Sequence, residues 1–442
     1  MTEKTLIHGV VLPIDGKETI FQDGMIVLKD DRIVYIGPAD PDKATGEVIS
    51  CSGKLLMPGF VNTHAHSGST LFRSIADDHF LMDWLENYMW PIEKVQTAEY
   101  SQLATALCHL EFLRNGITTH ADMWIYGKWT ARAALESGLR SVICPTVFSR
   151  PSTETPDPLA ASMAFVEEYL GRENETRIYP GIAPHAVYSC TPETLREVAD
   201  FAKKHRVLIH THISETKKEN VDCLAAHGCT PTELMLDAGI FESHVLAAHC
   251  VHMSDHDWQI MRDHKAAVSY NPVSNLKLCS GIMDLDAAFR NDVCVSIGTD
   301  GPQSNNSLDL LRDLKTGSLI QKNNRMDPTF FPAEKAVEMI TIEGARALGL
   351  EHEIGSLEIG KKADIIALDL NEPEFVPAHC GSYGNIWSLI VYAAAGRNVT
   401  DVFVDGECLL KDRVPQRIDV DHLIRESQRI SSVMLKEAGF KL

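Results

Sequence analysis

Between residues 60 and about 350, short apolar runs alternate with longer stretches whose apolar positions recur at helical spacing. Eight of the runs read as strands: residues 60–64, 117–120, 141–147, 178–185, 207–212, 245–249, 267–271 and 294–300. This alternation is the signature of a parallel α/β domain. Eight successive strand and helix units fit a (β/α)8 barrel better than an open doubly wound sheet. The helical stretches carry recognisable ends. Residues 101–114 stop at Asn115-Gly116, Thr191-Pro192 opens a helix with a cap and an early proline, and Thr230-Pro231-Thr232-Glu233 is a capping box.

The flanks have a different pattern. Residues 1–57 lack a helical period and read as strands at 5–12, 24–28 and 32–36, the last two joined by Lys29-Asp30-Asp31. Strand character returns at 355–368 and 401–406. Neither flank is long enough for its own core, so the two are expected to pair. The expected organisation is a composite β-sandwich of 1–57 and 355–418, a distorted barrel over 58–354, and a terminal helix over 419–442. Residues 151–158 (PSTETPDP) form the most loop-like stretch.

Composition narrows the function classes. Hydrophobic residues at 44% and charged residues at 23% describe an ordinary soluble globular protein. A formal charge of −20 disfavours nucleic acid and anionic membrane as partners. The chain has no apolar run long enough to span a bilayer, and its opening, MTEKTLI, has no basic start followed by an apolar core. A cytoplasmic location is therefore expected. The eleven cysteines are scattered without a C-x-x-C pair, which favours free, buried thiols over a disulfide framework.

Candidate chemistry gathers at the strand ends. Six runs end in a residue able to bind metal or move a proton: His64, His120, His185, His212, His249 and Asp300. In a barrel these ends share one mouth. The run Pro58-Gly59-Phe60-Val61-Asn62-Thr63-His64-Ala65-His66 ends in two histidines on one side of the strand, and His210-Thr211-His212 repeats the spacing. One such pair reads equally well as structural, whereas both pairs with Asp300 in one barrel point to a metal ion. Glu215, just past His212, suits the shuttling of a proton from an activated water to a leaving group; its plainer reading is a solvated glutamate opening a helix. His249 suits orienting that water or polarising a substrate. Asp300 suits a ligand that keeps one oxygen free to take a proton. His120, His227, His244, His252 and His256 read as ordinary core or surface histidines.

The motifs Pro58 to His66, His212-x-x-Glu215, Ala248-His249-Cys250-Val251-His252 and Gly298-Thr299-Asp300 together resemble the amidohydrolase superfamily, in the branch with one metal and no carboxylated lysine. The resemblance implies the distorted barrel and composite sandwich. It also implies His64, His66, His212 and Asp300 as zinc ligands, with Glu215 and His249 in proton transfer and water orientation. Within that branch, Ala76-Asp77-Asp78, Leu81 to Glu86, Trp90-Pro91-Ile92-Glu93, Ala183-Pro184-His185 and Asn271 to Leu278 are similar to the 5-methylthioadenosine/S-adenosylhomocysteine deaminases. That likeness implies that Glu93 holds the ribose hydroxyls and His185 contacts the purine. A carboxylate accepting from a vicinal diol is sound chemistry, although a rim glutamate is the plainer alternative. The chain departs from the family pattern at Ser67-Gly68-Ser69-Thr70, Gly301 to Asn306 and Gly281 to Asp286, which bears on the substrate and not on the metal.

The leading expectation is a zinc-dependent hydrolytic deaminase acting on the 6-amino group of an adenine nucleoside: 5-methylthioadenosine, S-adenosylhomocysteine or adenosine. In it Glu215 protonates the ring nitrogen and then the departing ammonia, while His249 and Asp300 steer the water. Arg150, after the third strand, is a candidate partner for a carboxylate on the 5′ substituent, or a plain surface arginine. An alternative uses the same residues as an aminohydrolase or chlorohydrolase of guanine, cytosine, a pterin or an s-triazine. A third, a non-catalytic scaffold, is disfavoured because every expected ligand is present. One zinc ion per subunit is expected, with iron(II) and manganese open. The expected partner is a small molecule, and the resemblance implies a homo-oligomer, a dimer or tetramer.

Overall fold

The computed structural model describes residues 3–17, 19–150, 155–381 and 384–441. Met1 and Thr2 of the opening segment, and Pro151, Ser152, Thr153 and Glu154 of the loop-like stretch, lie outside the described residues. Contacts divide the chain into two units: Met1–Asn62 with Leu110–Thr119 and Asp309–Ile418, and Thr63–His109 with His120–Leu308 and Asp419–Leu442.

The first unit carries a nine-stranded mixed sheet built from both flanks. Phe21–Lys29 and Arg32–Pro38 form the expected hairpin, turned through Asp30 at φ +54°. The flanks join where Lys54–Pro58 runs antiparallel to Ile365–Asp369, with Met57 opposite Ile366. Leu6, Ile26, Leu56, Ile365 and Phe403 share one apolar cluster, so neither flank closes its core without the other.

The second sheet has eight strands whose sheet order follows sequence order. They are Phe60–Ala65, Ile117–Trp124, Arg140–Val147, Ile178–Pro184, Leu208–Ile213, Val245–His249, Ala267–Tyr270 and Val295–Ile297. The pairings from Arg140–Val147 onward are parallel. A parallel bridge from Ala65 to Asp300 brings the first strand to the end of the eighth, and the Asp300 N–H donates to the His64 carbonyl at 2.9 Å. This is the nearly closed barrel expected. Every residue of Phe60–Ala65, Ile117–Trp124 and Arg140–Val147 is buried, as parallel strands covered on both faces must be.

Two barrel strands differ from the expected ranges: the eighth spans only Val295–Ile297, with Asp300 three residues past its end, and the second is longer. The second runs on to Trp124, so His120 lies in mid-strand and not at the barrel mouth. The polar residues do not end the strand because each finds a partner inside it. The His120 Nε2 lies 2.8 Å from Ser141 Oγ, and Asp122 Oδ1 accepts from the Ser67 N–H at 2.7 Å. The caps behave as read from the sequence: Thr191 and Thr230 both cap helices that start with proline, and Thr230 with Glu233 completes the capping box. All eleven cysteines are free. Among the described residues no helix is long and apolar enough to cross a membrane.

Gly59 stands where the chain enters the first barrel strand, and a Cβ there would lie 2.1 Å from Thr118 Oγ1. Gly59→Ala should cost about 1–3 kcal/mol of stability, the usual penalty for overpacking, measured by urea unfolding. Gly381→Ala, with nothing within 4 Å of its added methyl among the described residues, is the neutral control.

Candidate active site

The strand ends bring His64, His66, His212, His249 and Asp300 into one buried cluster. The ligating atoms of His64, His66 and Asp300 lie within 4.8 Å of one another, as do those of His64, His212 and His249. The register that sets Ile213 beside His249 places His212 one step below it on the neighbouring strand. Left-handed backbone at His249 (φ +75°) and Asp300 (φ +62°) turns both residues out of their strands.

Hydrogen bonds fix which imidazole nitrogens face inward. The Nδ1 of His66 lies 2.8 Å from the Met123 carbonyl, and the Nδ1 of His212 lies 2.8 Å from the His185 carbonyl. A carbonyl only accepts, so both Nδ1 atoms carry hydrogen, and in the neutral rings both Nε2 atoms present bare lone pairs. Those two Nε2 atoms are 3.4 Å apart, and Asp300 Oδ1 lies 3.2 Å from His66 Nε2 and 3.4 Å from His64 Nε2. Three converging electron-rich atoms in a buried space repel unless a cation sits among them. Burial holds His64 down to about 4 and His212 well below its ordinary value, which keeps the neutral form that ligates metal. Burial also opposes charge on His66, yet the contact with Asp300 outweighs it and lifts its pKa. The cluster thus draws positive charge, and three imidazoles with one carboxylate suit a divalent transition ion.

Surrounding residues hold these groups in place. His64 Nδ1 lies 2.8 Å from His210 Nε2. Asp300 Oδ2 accepts from Ser274 Oγ at 2.6 Å, and its Oδ1 from the Gly301 N–H at 2.7 Å. The amide of Asn275 donates to His249 Nδ1 at 2.8 Å, with Asn271 at 3.3 Å, so the proton of the neutral ring sits on Nε2. That Nε2 lies 3.9 Å from Glu215 Oε2.

Glu215 is buried, and burial raises its pKa, with His249 opposing. Its other oxygen accepts from Ser280 Oγ at 3.2 Å. The turn that presents it passes through Ser214 at φ +51°, and Glu219 receives the Glu215 N–H at 2.8 Å and the Ser214 N–H at 3.2 Å.

His66, His212, Glu215, His249 and Asp300 form one side of a pocket. Its walls include Trp84, Trp90, Trp124, Phe148 and Leu278, together with Glu93 and His185. Burial pushes Glu93 up to about 7, with His66 opposing, and holds His185 down to about 3. The structure therefore brings together every singled-out site residue except one. Arg150 is exposed beyond the third strand and does not line the pocket.

The departures at Ser67–Thr70 and Gly301–Asn306 meet pocket residues. A Cβ at Gly68 would lie 2.0 Å from the Trp124 indole nitrogen, so the bare glycine makes room for a wall residue. Ser69 Oγ donates to Gln303 Oε1, tying the loops after the first and eighth strands. Sequence reasoning assigned no role to Asp122, His210, Ser274, Asn275 or Glu219. His210, in the second H-x-H pair, and Ser274 and Asn275, inside the Asn271–Leu278 motif, carry a local signal; Asp122 and Glu219 carry none.

A model of the amidohydrolase family matches residues 55–409. The chain is 38% identical over 443 residues to the 5′-deoxyadenosine deaminase of Methanobrevibacter smithii, covering 99% of this chain and 100% of that protein. It is 35% identical over 431 residues to the 5-methylthioadenosine/S-adenosylhomocysteine deaminase of Caldanaerobacter subterraneus subsp. tengcongensis, covering 98% of each. The crystal structure of an adenosine deaminase from Xanthomonas campestris with bound zinc is similar with a TM-score of 0.93 at 28% identity, over 98% of this chain and 99% of that one.

If the convergent lone pairs hold an ion, His66→Ala and Asp300→Asn should each lower metal content at least about tenfold under limiting metal, read by elemental analysis of the purified protein.

Proposed function

The chain belongs to the amidohydrolase family, and on that premise we propose that it is a zinc-dependent deaminase that removes the 6-amino group of an adenine nucleoside as ammonia. The carrying observation is the placement of Glu215, His249 and Glu93 around one pocket that ends on the His64, His66, His212 and Asp300 cluster. The deaminase names of the two relatives support the reading.

Zinc held by His64, His66, His212 and Asp300 would supply a nucleophilic water at neutral pH. The chain's own residues do the rest. His249, its Nε2 proton directed toward Glu215 by the two asparagines, orients the attacking water. Asp300 keeps its charge: burial raises its pKa, but hydrogen bonds and charge from His64 and His66 take it well below the ordinary value. Glu215, its pKa raised by burial, takes a proton from the attacking water and gives it to N1, the ring nitrogen beside C6, then takes the proton of the new C6 hydroxyl and passes it to the departing amine, leaving the C6 carbonyl and ammonia. Glu93, ionised, accepts from both ribose hydroxyls, and the neutral His185 contacts the purine. The aromatic walls stack or enclose the base and exclude water.

The direct test is ammonia release from adenosine, 5-methylthioadenosine, S-adenosylhomocysteine, guanine, cytosine and an aminotriazine. The reading expects release from adenine nucleosides; release confined to the free bases or the triazine overturns it. Glu215→Gln should lower kcat by about 10²–10⁴ while metal content stays unchanged.

Glu93 gives a pH signature. Its ionised form binds the diol and its pKa lies at about 7, so nucleoside KM should fall as pH rises through that value. Glu93→Gln should flatten that dependence, measured as KM across the range, because an amide does not ionise.

A further inference from the structure

Residues 81–93 run as one helical stretch, Leu81–Trp84, Leu85–Met89 and Trp90–Glu93, and supply Leu81, Trp84, Leu85, Trp90 and Glu93 to the pocket wall. Packing behind this stretch comes from the C-terminal helix, Val420–Glu437, whose Ile430, Met434 and Leu435 share a cluster with Trp84, Met89 and Ile92. The connection leading into the stretch is strained. Ser74, Ala76 and Asp78 all adopt left-handed backbone, at φ +59°, +56° and +70°. Such conformations in non-glycine residues persist only where neighbours impose them.

The imposing contacts form one polar knot. Lys277 Nζ donates to Asp77 Oδ1 at 2.6 Å, to Asn306 Oδ1, and at 3.4 Å to the Gln303 carbonyl. Asn306 Nδ2 donates to Asp77 Oδ2 at 2.7 Å and to Ser74 Oγ at 2.9 Å, and Arg73 Nη1 donates to the Asn306 carbonyl at 3.1 Å. Lys277 ends the short helix Pro272–Lys277, whose Ser274 and Asn275 hold Asp300 and His249. The knot therefore joins the segment that walls the pocket to the segment that aligns the catalytic groups.

We propose that Asp77, Lys277 and Asn306 form a latch that holds residues 81–93 as a lid over bound substrate, with Asp77 and Lys277 as positioning residues for Glu93, Trp84 and Trp90. The lid residues touch substrate in ground and transition states alike, so loosening the latch costs binding more than turnover. The pair is only partly shielded, with 24% of the Lys277 side chain and 32% of the Asp77 side chain exposed, so the latch can open without burying a charge.

The test is Asp77→Asn and Lys277→Met in metal-loaded protein, with Lys277→Arg as the charge-keeping variant. Steady-state kinetics use whichever nucleoside the wild type deaminates, and hydrogen exchange follows the peptide spanning 81–93. The latch expects KM to rise at least about fivefold with kcat within about twofold, faster exchange in that peptide, unchanged metal content, and substantial recovery in Lys277→Arg. Unchanged KM and exchange would overturn it. So would a joint loss of kcat and metal with exchange in 81–93 unaltered, which would make the knot a support of the metal cluster. Exchange needs no substrate, so failure of the deaminase reading leaves that arm able to decide.

Discussion

Two imidazole Nε2 atoms, on His66 and His212, face each other at 3.4 Å beside the buried Asp300 carboxylate, at the wall of the pocket. Their outer nitrogens are committed to backbone carbonyls, so the rings cannot turn a proton outward to relieve the contact. Positive charge must sit between them. Much of the architecture can be understood as holding that arrangement: a bridge from Ala65 to Asp300 that nearly closes the barrel, a strand register that sets His212 beside the His249 strand, and hydroxyl and amide partners for Asp300 and His249.

Burial then separates the roles of the acidic residues. Asp300 is pulled down by its histidine neighbours, whereas Glu215 and Glu93 meet too little positive charge to offset desolvation and are raised. One pocket therefore contains a carboxylate that stays charged, one suited to carry a proton, and one whose charge changes near neutral pH. Pairs of titratable groups pushed apart in this way mark an acid–base site. The same desolvation acts on Glu219, pushed up to about 8 beneath the turn that carries Glu215.

The barrel and its metal cluster were legible because they depend on short-range regularities. Strand alternation places His64 and His66 on one side, and strand ends in a parallel barrel meet. The same logic misplaces His120, since a polar residue reads as the end of a strand that in fact continues to Trp124, with His120 partnered by Ser141 on the neighbouring strand. Residues that act from loops were harder to read. Ser274, Asn275 and Glu219 have meaning only once the loops are folded against one another, and the Asp77–Lys277 contact spans 200 positions of sequence. Arg150, which reads either as a partner for a 5′ substituent or as a plain surface arginine, stands exposed outside the pocket lining.

The identity of the inward-facing atoms decides what the cluster holds, and X-ray absorption at the zinc edge of metal-loaded protein tests them directly. It should show nitrogen and oxygen scatterers at about 2.0–2.2 Å, with outer-shell scattering from three imidazoles and no sulfur. Two or fewer imidazoles, or a thiolate at about 2.3 Å, would contradict the convergence of His64, His66, His212 and Asp300 on one ion.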